Sequence, residues 1–155
     1  MTRTVVHETF VIERSYPASP SRVFTAFADP AVKLRWFGEP AGDIGPHQID
    51  FRVGGRESLR GQAPGGGPTF TFDALYQDIV ENERIVYSYD MTLNGGRISV
   101  SVATIEFLPE GTGTRLIVTE QGAFLDGLDK NAAREQGTRE LLDALGRYLD
   151  LVGAE

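Results

Sequence analysis

The chain contains no cysteine, and histidine occurs only twice, as His7 and His47. The first absence excludes disulfides, thiolate metal sites and a cysteine nucleophile. The second excludes a three-histidine zinc site, and no carboxylate spacing completes a two-histidine one. Positive charge is also scarce: fifteen Lys and Arg stand against twenty-two Asp and Glu, a net charge of −7. Nucleic acid and anionic membranes select basic patches, so neither is an expected partner. No apolar run approaches the ~18 residues of a membrane span, so membrane insertion is not expected. Met1 to Thr9 shows no apolar run after a basic start, so no signal peptide is read and the expected location is cytoplasmic. A Gly-x-Ser-x-Gly turn for a hydrolase serine is missing too. The glycine-rich stretch from Gly61 to Pro68 is not followed by Gly-Lys-Ser/Thr, which makes it a hairpin loop rather than a phosphate cradle. No metal, no cofactor and no catalytic set is therefore assigned.

What remains is ordinary for one globular domain, taken as residues 1–155, with 41% hydrophobic and 24% charged residues. The most informative stretch is the last, from Asp129 to Val152. Leu141, Leu142, Leu145, Tyr148, Leu149 and Val152 recur at helical spacing and form one apolar stripe. Glu135, Arg139, Asp143 and Arg147 fall four apart on another side, as two acid-before-base pairs. Asp126, Asp129 and Asn131 are candidate caps, and Gly153 is a stop. Gly137 and Thr138 stand where bulky residues would continue the stripe, so the helix is thin toward its start.

Almost everything before that helix reads as strand. Val6 to Ser15 alternates, with Phe10 and Ile12 on one face. Ser19-Pro20 and Asp29-Pro30 each open a short helix, because proline loses nothing at the first helical position. Val23, Phe24 and Phe27 give the first its buried face, and the second is expected to carry Val32, Leu34, Trp36 and Phe37 as far as Gly38. From Ile44 the period becomes two, placing His47, Ile49, Phe51 and Val53 together, and Gly54-Gly55 is read as a two-residue primed turn. Glu57 and Leu59 share a face of the returning strand. Phe70 and Phe72 begin a long strand with a bulge expected near Leu75-Tyr76. Ile85, Tyr87, Tyr89 and Met91 alternate in the next, and Asn94-Gly95-Gly96 turns the chain back. The inner set of the following strand is Phe107, Ile105, Ala103, Ser101 and Ser99, small and polar at one end. Pro109 to Gly113 makes the last hairpin, and Leu116, Val118 and Glu120 share a face before Gly122 to Gly127 leads to the helix. One strand, two short helices, six strands and a long helix make an α+β chain whose antiparallel sheet needs that helix as its cover.

These segments resemble the START-like, Bet v 1-like (SRPBCC) superfamily. Within it they resemble the group of Hsp90 ATPase activator C-terminal-domain-like, or polyketide-cyclase-like, proteins. The residues that carry the likeness are Phe24-Thr25-Ala26-Phe27-Ala28-Asp29-Pro30, Arg35-Trp36-Phe37-Gly38, Phe51-Arg52-Val53-Gly54-Gly55-Arg56, Glu83-Arg84-Ile85-Val86-Tyr87 and Gly113-Thr114-Arg115-Leu116. The resemblance implies a helix-grip fold: a curved antiparallel sheet of about seven strands around the C-terminal helix, with a cavity between them. Members of the superfamily bind lipids, sterols, hormones or polyketides, and some are enzymes. Two departures stand out. Many relatives have Gly-Trp in the last helix where this chain has Gly137-Thr138, and many have an aromatic residue where it has Glu57.

The expected ligand-binding wall is aromatic and partly polar: Trp36, Phe37, Phe51, Phe70, Phe72, Tyr87, Tyr89, Met91, Ser101, Phe124 and Thr138. Alternation also carries His47, Glu57 and Glu120 inward. A buried carboxylate needs a partner, so at least one of Glu57 and Glu120 is expected to meet a tyrosine or histidine inside. The leading function is the binding of a small hydrophobic or amphipathic molecule. A cyclase- or hydrolase-like enzyme using a cavity carboxylate or histidine, and a co-chaperone-like interaction domain, are the alternatives, and a homodimer is left open.

Overall fold

The computed structural model describes residues 2–37, 47–63 and 65–152. Seven antiparallel strands form a single sheet: β1 (Val5–Tyr16), β2 (Gln48–Ile49), β3 (Arg56–Gln62), β4 (Thr69–Val80), β5 (Arg84–Leu93), β6 (Gly96–Glu110) and β7 (Gly113–Leu125). Their order across the sheet is β1-β7-β6-β5-β4-β3-β2, so every strand from β2 to β7 lies beside its successor and β1 closes against β7. Between β1 and β2 come α1 (Pro20–Ala28) and α2 (Pro30–Lys33), and the chain ends in α3 (Asn131–Val152). This is the helix-grip arrangement.

Local chemistry explains most boundaries. Ser19 caps α1 by accepting from the Arg22 N–H, and Asp29 caps α2 by accepting from that of Ala31. Asn94 and Gly95 both have positive φ, 49° and 84°, as a primed two-residue hairpin turn requires. The β4 bulge lies between Tyr76 and Asp78, one step beyond the expected place.

The structure differs from the sequence reading where glycine and short apolar runs are ambiguous. Helix α2 stops at Lys33, and Leu34 is 42% exposed. Trp36 is nonetheless buried, because its indole N–H donates to the Ala26 carbonyl at 3.0 Å and holds the ring against α1. Strand β2 is two residues long, and Val53 is 56% exposed. Gly54-Gly55 does not form a two-residue turn. Ile49 pairs with Glu57, leaving a connection over 50–55, and Gly55 is needed because a Cβ there would lie 2.0 Å from the Asp50 carbonyl oxygen. Strand β7 runs on to Leu125, where a linker was expected from Gly122. The expected start at Ile44, the stops at Gly38 and Gly153, and the Val152 side chain lie outside the described residues.

Helix α3 grips the sheet unevenly. Leu142, Leu145 and Leu149 are buried in the main core with Phe10, Ile12, Tyr16, Val23 and Phe24. The Tyr16 hydroxyl donates to the Leu142 carbonyl at 2.7 Å, and its ring abuts Gly146, where a Cβ would come within 3.2 Å. Glu135 and Arg139 pair at 2.6 Å as expected, whereas Asp143 turns to Arg14 of β1 at 3.5 Å rather than to Arg147. At the other end, the face toward the sheet carries Arg134 and Thr138 in place of leucines, and Gly137 has no atom within 4 Å of a built Cβ. Leu145 has no exposed surface, so Leu145→Ala is expected to cost about 2–5 kcal/mol in urea denaturation. A loss comparable to that of an exposed position would contradict this packing.

Candidate functional site

Because only the C-terminal half of α3 packs leucines into the core, a cavity of about 620 Å³ opens beneath its N-terminal half. Its floor is the concave face of β3 to β7: Leu59, Phe70, Phe72, Tyr87, Tyr89, Met91, Ile105, Val118 and Glu120. Trp36 and Phe37 close one side, and Arg134, Gly137, Thr138, Leu141 and Leu142 form the roof. Rings meet edge-on or tilted along the wall. Phe72 lies 4.9 Å from Tyr89 and 5.6 Å from Phe37, and Tyr87 lies 5.8 Å from Tyr89. Asp129, Glu140 and Arg147 add charge to the lining.

Of the residues expected on this wall, the structure places Trp36, Phe37, Phe70, Phe72, Tyr87, Tyr89, Met91, Glu120 and Thr138 there. Five lie elsewhere, each for a packing reason. Phe51 stacks edge-on to Phe24 and Tyr76 in the main core. Phe124 folds back over Gly122, and its ring and the Ser101 hydroxyl together occupy the space a Cβ would take there. The Arg134 guanidinium then covers Phe124 at 5.5 Å. His47 and Glu57 belong to a separate buried cluster.

That cluster sits behind Phe37. Glu57 is 1% exposed, and Lys33 Nζ lies 2.6 Å from its Oε1. The Tyr76 hydroxyl donates to the same oxygen, and His47 Nε2 lies 2.7 Å from Oε2. A carboxylate can only accept, so Nε2 is the donor. Nδ1 is buried with no partner among the described residues. The Lys33 ammonium also sits 4.5 Å from the Phe37 ring centroid. Burial alone would raise the Glu57 pKa, but Lys33, His47 and Tyr76 outweigh it and pull the value down to about 2.

The second carboxylate has the opposite environment. Glu120 accepts from the Tyr89 hydroxyl, and Tyr89 accepts from Arg134 Nη1 at 3.1 Å. Arg134 Nη2 reaches Ser99 at 2.8 Å and Asp129 at 2.6 Å. Burial raises the Glu120 pKa, and the hydrogen bond from Tyr89, the charge of Arg134 and the nearby Thr138 hydroxyl offset this only in part. Burial likewise pushes the Tyr87 and Tyr89 hydroxyls well above their ordinary value, so both stay protonated. Lys33, Tyr76 and Arg134 were not singled out in the sequence. Arg134 was findable, since it lies four residues before Thr138 and eight before Leu142 on the same helix face.

Comparison with known proteins places this geometry in context. The family model described as activator of Hsp90 ATPase homolog 1-like protein matches residues 17–150. A Rhizobium loti protein of known crystal structure is 51% identical, with 94% of this chain and 99% of that one covered and a TM-score of 0.87. A Rhizobium leguminosarum protein is 41% identical over 97% and 99% of the two chains, with a TM-score of 0.91. An AHSA1-like protein from Aeromonas hydrophila shares the fold at 21% identity and a TM-score of 0.68. No curated protein matches the chain.

The Glu57 cluster generates a stability prediction. Its carboxyl has a folded pKa of about 2 against an ordinary 4.5. The stabilisation is therefore complete above 4.5 and is lost as pH falls toward 2. Lys33→Met strands the buried charge and should cost about 3–5 kcal/mol at neutral pH, while adding Glu57→Leu should recover much of it. A single-mutant loss within the roughly 0–1 kcal/mol of an exposed pair would contradict the assignment.

Proposed function

Because this chain belongs to the family of activator of Hsp90 ATPase homolog 1-like proteins, we propose that it binds a small hydrophobic or amphipathic molecule between the sheet and α3. The observation that carries this reading is the cavity itself. Its volume of about 620 Å³ falls inside the roughly 300–1,000 Å³ of small-molecule sites. Its wall has the usual composition of such sites, an aromatic and aliphatic body with a few polar groups at one end. Glu120 with Tyr89 is that polar end, and the ligand's apolar part lies along Phe72, Tyr87, Met91 and Trp36.

The two alternative functions draw less support. An acid–base enzyme of the kind considered from the sequence would gain from two carboxylates facing one another across the cavity. Here Glu57 is turned away and neutralised by Lys33. A purely protein-binding domain has no use for an open interior, and this fold keeps one.

Trp36 is the only tryptophan and stands on the wall, so its fluorescence reports occupancy. Titration with a solvatochromic hydrophobic dye should shift both dye and Trp36 emission. Thr138→Trp puts bulk into the roof and should weaken dye binding by at least about tenfold, ~1.4 kcal/mol, with a cooperative thermal transition retained. Unchanged dye binding in a folded Thr138→Trp protein would show that the dye never entered beneath α3.

A further inference from the structure

Around Glu120, the polar end of the cavity has more acceptor than donor capacity left over. Most of its donors are already engaged; the Tyr87 O–H and the Arg147 guanidinium of the lining are the ones without a hydrogen bond among the described residues. The Tyr89 O–H goes to Glu120. The Thr138 hydroxyl donates to the Arg134 carbonyl at 2.9 Å. Arg134 directs its Nη atoms at Tyr89, Ser99 and Asp129, and its side chain is only 9% exposed. Besides the Tyr87 hydroxyl and the Arg147 guanidinium, what these bonds leave over is acceptor capacity: the carboxylate of Glu120 beyond its bond from Tyr89, and the lone pairs of Thr138 Oγ1, which lies beside it. The charged groups of the lining agree in sign. Three carboxylates, Glu120, Asp129 and Glu140, stand against two guanidiniums, Arg134 and Arg147. Beyond Glu120 the wall combines the rings of Phe72, Tyr87 and Tyr89 with the aliphatic Leu59, Met91 and Val118, and an aromatic face attracts a cation.

We propose that the buried end of the ligand is a hydrogen-bond donor, an ammonium or a hydroxyl, received by Glu120 and Thr138, and that carboxylate-headed molecules are rejected. This rests on the cavity reading above and adds the chemical class of its occupant. The same geometry makes binding of an amine depend on pH. The groups facing Glu120 are Tyr87 and Tyr89 from β5 and Arg134 and Thr138 from α3, with Asp129 beyond. The tyrosines remain protonated and Arg134 remains charged, so Glu120 is the one that titrates. Desolvation holds its carboxyl toward the neutral form in the empty protein. An ammonium arriving beside it favours the ionised form, so amine affinity rises with pH while the amine stays charged. Glu120 ionisation opposes folding when the cavity is empty: a raised pKa contributes stability at low pH that is lost as pH rises. Glu120→Gln should therefore raise the thermal midpoint of the empty protein at mildly alkaline pH, which distinguishes a site for a ligand from a merely structural contact.

The test is calorimetric titration with four probes of one shape: ethylnaphthalene, naphthylethanol, naphthylethylamine and naphthylacetate. The alcohol, the amine or both should bind at least about tenfold tighter than the hydrocarbon, and the carboxylate no tighter than the hydrocarbon. A gain for the amine alone identifies the head as an ammonium, and a gain for the alcohol alone as a hydroxyl. Glu120→Gln should abolish the amine's advantage and flatten its pH profile, and Glu120→Leu should abolish both advantages while leaving ethylnaphthalene bound. If ethylnaphthalene binds but naphthylacetate binds best, or if all four bind alike, the donor assignment is overturned and the cavity reading survives. If none binds, both fall together.

Discussion

One constraint shapes the molecule: a single helix must cover a seven-stranded concave sheet that is wider than it is. Helix α3 meets the requirement at one end only. Leu142, Leu145 and Leu149 enter the core, and the buried bond from the Tyr16 hydroxyl to the Leu142 carbonyl fixes helix height and rotation over β1. With that end pinned, the other end stands over β4 to β7 and presents Arg134, Gly137 and Thr138 to the sheet. None of these can fill the gap as leucine or tryptophan would. The cavity is thus a consequence of where the apolar stripe stops.

The two buried glutamates show how one residue type takes two roles inside such a fold. Glu57 is surrounded by the Lys33 ammonium, the Tyr76 hydroxyl and the His47 ring, and its charge is satisfied within the protein. It ties the end of α2 to β3 and so holds Phe37 at the cavity wall. Glu120 has the Tyr89 hydroxyl as donor and Thr138 beside it, and the nearby cation, Arg134, already pairs with Asp129. Its charge is left partly unmet, on the wall of an open space. A carboxylate completed by the protein is structural; one left incomplete beside a cavity is available to something that enters.

The sheet, the strand alternation and the apolar half of α3 were legible because each rests on periodicity, and Phe10, Ile12, Ile105 and Phe107 are buried as alternation requires. That Glu57 and Glu120 point inward was legible for the same reason. Their partners were not equally so. Tyr89 stands two strands from Glu120, but Lys33 reaches Glu57 only because α2 ends after one turn, which no local pattern shows. The five residues that lie off the cavity wall do so for a related cause. Alternation says which face a side chain takes but not which part of that face is already filled, and Phe124 turning back over Gly122 is decided by the missing Cβ there. Glycine was the least readable residue. At Gly95 it supplies a positive φ, and at Gly55 it supplies room beside a carbonyl, though both looked like turns.

The account stands on an open, enterable space beneath the N-terminal half of α3. A crystal structure with an iodine-labelled naphthalene soaked into the lattice tests this directly. The account predicts anomalous density between the rings of Tyr87 and Tyr89 and the Thr138 turn of the helix, with α3 held at its present height by Tyr16. Density confined to the outer face of the sheet, or a helix whose first half has settled onto β5 and β6 and left no space, would contradict it.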